Sequence, residues 1–114
     1  MGQFMLLLYD RPGDWLGVPP ERLERLIAEY SAWVERMQEA GRLVLAEKLK
    51  DEGGKVLGRD GAVAHPDYAA AEEVLGGIFI VRAADYEEAV QLARSSPHAR
   101  YGARTEVREI QVLG

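Results

Sequence analysis

The sequence predicts a single α+β domain, residues 1–114, of the ferredoxin-like kind. In it an antiparallel sheet carries two helices on one face, and an extra β hairpin is added. Three observations lead there. The hydrophobic patterns run in the order strand, helix, strand, small hairpin, strand, helix, strand, and two β–α–β halves with right-handed crossovers give that sheet. The length, 114 residues at 47% hydrophobic and 29% charged, suits one domain with one core. Finally, the segments Phe4–Tyr9 and Ile78–Val81 are apolar at consecutive positions, so both faces of the sheet require burial. Two helices cover one face, and an apolar face left bare marks an interface. The expected partner is a second copy of the chain, as a homodimer.

The elements follow in order. Gln3–Asp10 is nearly continuous apolar sequence of strand length. Arg11-Pro12-Gly13-Asp14 ends it, because Pro cannot donate in a ladder and Gly-Asp favours a turn. Pro19 and Pro20 open a helix, with Glu21 and Glu24 at the positive end of its dipole. Leu23, Leu26, Ile27, Tyr30, Val34 and Met37 recur at steps of three and four and form its apolar stripe, which Trp33 borders. Gly41 stops it.

Leu43–Leu49 reads as a strand, and Asp51–Gly54 as a turn. Lys55–Arg59 and Ala62–His65 flank Asp60-Gly61, a two-residue hairpin signal. Pro66–Glu73 is a loop or a single helical turn. Ile78–Ala83 is a strand, after Gly76-Gly77. Asp85 and Glu88 make a capping box for a helix whose face carries Tyr86, Ala89, Val90 and Ala93. Ser95-Ser96-Pro97 ends that helix. Thr105–Leu113 is the last strand, with a change of phase between Val107 and Ile110 that marks a bulge.

Several function classes drop out on composition. The net charge is −5 and the Arg residues are interspersed with acids, so no nucleic acid is expected as partner. There is no cysteine, which excludes disulfides and thiolate chemistry and fits a cytoplasmic location. Phe4–Tyr9 is too short to span a bilayer and lacks the flanks of a signal peptide, so no membrane association is expected. The two histidines stand 33 positions apart without HxH or HExxH spacing, so no metal is expected. No Gly-rich stretch opens a helix, and no cofactor is expected.

Short motifs in a fixed order carry a resemblance. They are Met5-Leu6-Leu7-Leu8-Tyr9, Pro19-Pro20-Glu21, and Ala40-Gly41-Arg42-Leu43-Val44 leading to Glu47. Arg59-Asp60-Gly61, Leu75-Gly76-Gly77 and Arg100-Tyr101-Gly102 complete them. In these the chain resembles the YCII-related family, in its DGPF-type branch, along almost its whole length. The resemblance implies a dimeric α+β barrel, and for some relatives acid/base chemistry on small organic molecules. Where the branch carries Asp-Gly-Pro-Phe, this chain reads His65-Pro66-Asp67-Tyr68. Tyr68 keeps the aromatic, Glu73 matches a family Glu, and the name-giving Asp is replaced by His65. Better-characterised relatives carry a His near the start of the first helix, where Glu21-Arg22-Leu23 has none.

Among polar residues, Glu47 interrupts an apolar strand, either as a buried carboxylate fit for acid/base work or as an exposed strand end. His65 follows the hairpin, either as a proton carrier or as a surface histidine. These two are the catalytic candidates. Tyr68, Glu73 and Arg100 are the ligand-binding candidates; Arg100 offers a guanidinium to a carboxylate, or else pairs with a local acid. His98 reads as a solvated loop residue. Asp10, Arg11 and Trp15 line the loop after the first strand, with Trp15 closing a core edge. The expected ligand is a small organic molecule held in the dimer. The competing reading is a non-catalytic interaction or regulatory module.

Overall fold

The computed structural model describes residues 1–113, the side chain of Trp15 excepted, so the reading of Trp15 as a core-edge residue lies outside the described residues. The chain forms β1 (Gly2–Asp10), α1 (Pro20–Glu39), β2 (Leu43–Lys48), β3 (Val56–Leu57), β4 (Val63–Ala64), β5 (Val74–Ala83), α2 (Tyr86–Arg94), α3 (Pro97–Arg100) and β6 (Thr105–Glu109). A four-stranded antiparallel sheet has the order β2-β5-β1-β6, and β3 and β4 form a separate hairpin. The two strands with continuous apolar runs are the central ones. This is the expected α+β architecture. Among the described residues no helix is long and apolar enough to cross a membrane.

One face of the sheet is the core. Phe4, Leu6 and Leu8 of β1 and Phe79, Val81 and Ala83 of β5 are buried against Trp33 and Met37 of α1 and Ala89 and Ala93 of α2. The small alanines let α2 lie close to the strands. The helix phase differs from the sequence reading: Trp33, read as a border residue, is buried at the centre, whereas Ile27 is 64% exposed. Leu26, Tyr30, Trp33 and Met37 are the row that meets the core, and Trp33 lies against Phe79 with ring centroids 4.7 Å apart. Its indole N–H donates to Ser95 Oγ at 2.9 Å, which satisfies the polar end of the ring. Leu23 and Ile27 form a second apolar row that the periodicity alone could not separate from the first.

The opposite face carries Met5, Leu7, Ile78 and Ile80, all half-buried by their neighbours alone. The register sets them in rows across the sheet: Glu106, Leu7, Ile78, Glu47, and beside it Arg108, Met5, Ile80, Leu45. Both long helices contribute their buried residues to the other face.

Three local departures shape the site. β5 begins at Val74 rather than Ile78, with Gly76-Gly77 inside the strand and a register slip opposite Leu8/Tyr9. The segment after Ser96, expected as loop, is the short helix α3: Ser96 Oγ accepts from Ala99 N–H at 3.4 Å, with Pro97 in the first turn. β6 ends at Glu109, and after Ile110 N–H bonds Gln3 the chain leaves the sheet.

Candidate functional site

The sequence candidates do not form one cluster. Glu47 is exposed on β2, on the bare face of the sheet, beside Ile78. His65 is exposed one residue after β4. No hydrogen bond or ion pair joins them among the described residues. Tyr68 packs on the turn before the hairpin, its ring so close to Gly54 that a Cβ there would stand 2.5 Å from the ring edge. Arg100 pairs with Glu29 at 3.8 Å. Glu73 accepts from Arg104 through Nε at 3.0 Å and Nη2 at 2.6 Å, and this guanidinium holds its carboxyl below the ordinary carboxylate range.

What the fold brings together lies elsewhere. At the C-terminal end of β1 a cleft of about 280 Å³ opens between the Arg11–Asp14 loop, α1 and α3. Its inner wall holds Asp10, Tyr30 and His98; Val18 and Leu26 give it an apolar side, and Arg11, Arg22 and Tyr101 stand at the mouth. A larger hollow of about 740 Å³ along Pro19–Ala28 is a shallow surface with exposed charged walls and no buried polar group among its lining residues. The smaller cleft is the one with chemistry in it.

His98 is its centre. Expected as a solvated loop residue, it is instead 3% exposed and is held at both ring nitrogens. Nε2 lies 3.1 Å from the Arg104 carbonyl oxygen. A carbonyl only accepts, so Nε2 carries a proton. Nδ1 lies 3.1 Å from Tyr30 Oη and 3.9 Å from Asp10 Oδ1. In the neutral ring, Nδ1 therefore accepts from the Tyr30 hydroxyl. In the protonated ring, Nδ1 donates to Tyr30 Oη and faces the Asp10 carboxylate. The bond can reverse without any atom moving far, which is what a proton relay needs.

The remaining groups are tuned by burial. Asp10 is pushed above the usual carboxylate value chiefly because its environment excludes water. His98 and Lys48 oppose that rise, and Asp51 adds to it. Tyr30 is raised, first by burial and then by Asp10 and Tyr101. It therefore stays a neutral phenol, available as a donor.

A second tier fixes the first. The Arg104 carbonyl accepts both His98 Nε2–H and the Tyr9 amide, the latter at 3.0 Å. The Arg104 guanidinium, besides binding Glu73, lies over the Tyr9 ring at 3.9 Å, and Tyr9 Oη donates to Glu106 at 3.0 Å. Glu73 thus acts two steps from the cleft, by clamping the residue whose carbonyl orients His98. Sequence reasoning missed Asp10, Tyr30 and His98 as a group because they are 20 to 88 positions apart. One local signal for α3 was present: Ser96-Pro97 is an N-cap followed by proline at the first helical position. Among the described residues no three His, Asp or Glu side chains gather as a metal site.

The order of elements and the four-stranded sheet place the chain among known α+β domains. The YCII-related domain matches residues 2–111, and the chain belongs to that family. Among solved structures it is similar to 5-chloro-2-hydroxyhydroquinone dehydrochlorinase (TftG) from Burkholderia phenoliruptrix AC1100, in complex with 2,5-dihydroxybenzoquinone. The TM-score is 0.55 at 20% identity, over 96% of this chain and 93% of that one. No curated protein matches the chain.

Proposed function

We propose that the chain binds a small organic molecule in the Asp10–Tyr30–His98 cleft and performs acid/base chemistry on it, as a homodimer. The observation that carries this reading is the buried His98, held at both nitrogens and 3.9 Å from a carboxylate, in a concave site. Its chemistry follows from the donors. A ligand O–H or activated C–H presented to Tyr30 Oη gives up its proton as the Tyr30 proton passes to Nδ1, and the imidazolium so formed faces Asp10. Alternatively Asp10, with its raised affinity for a proton, takes it directly. Arg22 and Arg11 at the mouth suit the anion that results. The similar fold of a dehydrochlorinase, an enzyme that by its name removes hydrogen chloride, supports small-molecule chemistry in general.

The test uses 2,5-dihydroxybenzoquinone and a panel of small hydroxylated aromatic acids as probes. NMR titration is expected to shift the Tyr30 and His98 ring signals, with an at least tenfold loss of affinity in His98→Ala. Shifts confined to other surfaces, or none at millimolar probe, would overturn the reading. Recovery of one stoichiometric protein partner, with no ligand, would favour the interaction-module alternative.

The dimer is supported by surface area and charge. A compact monomer of this mass exposes about 6,200 Å², whereas this chain exposes 8093 Å². The excess, about 1,900 Å² for one chain, is more than the roughly 800 Å² that each partner loses in a standard interface. A two-fold axis running between the two rows of the bare face would set Glu106 against Arg108 of the partner subunit, twice over. Glu47 would be enclosed by the same contact. Its acid/base role, with His65 as the second catalytic group and Tyr68 as a ligand contact, belongs to that assembled state as a second proposal; Arg100, paired with Glu29 on the helix side, stands outside it.

A further inference from the structure

We propose that Gly76 is the positioning residue for Asp10, and that the side chain it lacks is the seat on which the carboxylate lies. Gly76 is not among the glycines with positive φ, which are Gly17, Gly41, Gly53, Gly54, Gly61 and Gly102. Its backbone conformation is open to any residue. Space is the constraint. A Cβ at Gly76 would overlap Asp10 Oδ2 and lie 2.8 Å from Asp10 Cγ, well inside contact distance.

The register explains how the two meet. Leu8 pairs with Gly77 but Tyr9 pairs with Leu75, so Gly76 is the extra residue of a bulge with no partner on β1. The next residue of β1 that can turn toward that gap is Asp10. With Oδ2 in the notch, Oδ1 is directed to His98 Nδ1 at 3.9 Å. Gly76 cannot retreat, because its carbonyl accepts from Leu49 N–H at 2.9 Å on the other side. An added methyl therefore displaces the carboxylate, not the strand. Gly77 serves strand packing instead, since a Cβ there would meet the Glu47 backbone oxygen at 2.8 Å. The functional meaning of the seat rests on the proposed role of the cleft, but its geometry does not.

The experiment is a ¹³Cγ NMR titration of Asp10 in the full chain and in Gly76→Ala. The groups that face Asp10 are Tyr30 of α1, His98 of α3, Lys48 of β2 and Asp51 in the following turn, and all are kept in both proteins. The expected result is a fall in the Asp10 midpoint toward the ordinary carboxylate range, since a displaced carboxylate enters water. An unmoved midpoint in folded Gly76→Ala overturns the proposal. If Gly76→Ala is too unstable to titrate, Asp10→Ala decides. The Cβ it retains would be 3.6 Å from the new methyl, an ordinary contact. Adding Gly76→Ala to Asp10→Ala should leave Tm unchanged, and a loss of about 3 °C or more there would overturn the proposal. A cleft that binds no probe leaves this result standing, whereas an unmoved Asp10 sinks it whatever the cleft binds.

Discussion

At Asp10 two demands oppose each other. The proposed proton transfer favours a carboxylate in a site that excludes water, and folding favours that charge solvated. Its proton affinity is higher in the folded than in the unfolded chain, whose ordinary value is 3.8. The folded state therefore holds the proton where the unfolded state has released it. Stability falls as pH rises from that value through the raised one, and the loss persists at neutral pH. Asp10→Asn is expected to raise Tm by roughly a few degrees at pH 7 and to leave it unchanged near pH ~3, below both values. A thermal melt series across that range checks this, and a lower Tm at pH 7 would contradict it. Glu73 behaves oppositely. Its folded value is lowered below 4.5, so its contribution is present above that pH and fades as acid protonates it. Tyr30→Phe removes the hydroxyl that meets His98 Nδ1. It should cost about 1–3 kcal/mol, measured by denaturant unfolding, because a buried ring nitrogen is left unpaired.

Individual elements were legible from sequence where one local signal decided them. The apolar runs marked β1 and β5, and Asp85 caps α2 as its spacing requires, accepting from Glu88 N–H at 2.9 Å. Glu88 reaches back to Ala84 N–H at 3.1 Å, one residue earlier than the simple box. Where two signals competed, the tertiary structure chose. The first helix has two adjacent apolar rows, and only the sheet selects the one containing Trp33. α3 was masked because Ser-Pro also ends helices, and the cleft with it, since His98 is buried only when this turn forms. Ser96→Ala should therefore affect a single turn twice. Its hydroxyl caps α3 and donates to the Ala93 carbonyl at 2.7 Å. The expected cost is about 1 kcal/mol, with a loosened His98 seen as broadened ring resonances. Unchanged resonances would separate the cap from the cleft.

As a whole the chain is a slab of 45 × 39 × 19 Å with a radius of gyration of 15.7 Å, against about 13 Å for a compact domain near this size. One helix layer and one sheet layer account for the thin dimension. Ile80→Lys, at the middle of the bare face, is expected to give a folded monomer in sedimentation velocity at a concentration where the unmodified chain sediments as a dimer. A monomer for both would remove the basis of the homodimer proposal. Breadth, by contrast, owes much to the β3–β4 hairpin, whose strands pair with each other and stand apart from the core cluster. Isolated two-stranded hairpins are marginal in water. Its backbone hydrogen bonds should thus open and close far more often than those of the sheet, making the Val56–Ala64 stretch the first point of attack for a protease on the free chain. It is also the natural place to splice in a reporter or an affinity tag, because neither cutting nor lengthening it draws on the contacts that hold Asp10, Tyr30 and His98 together.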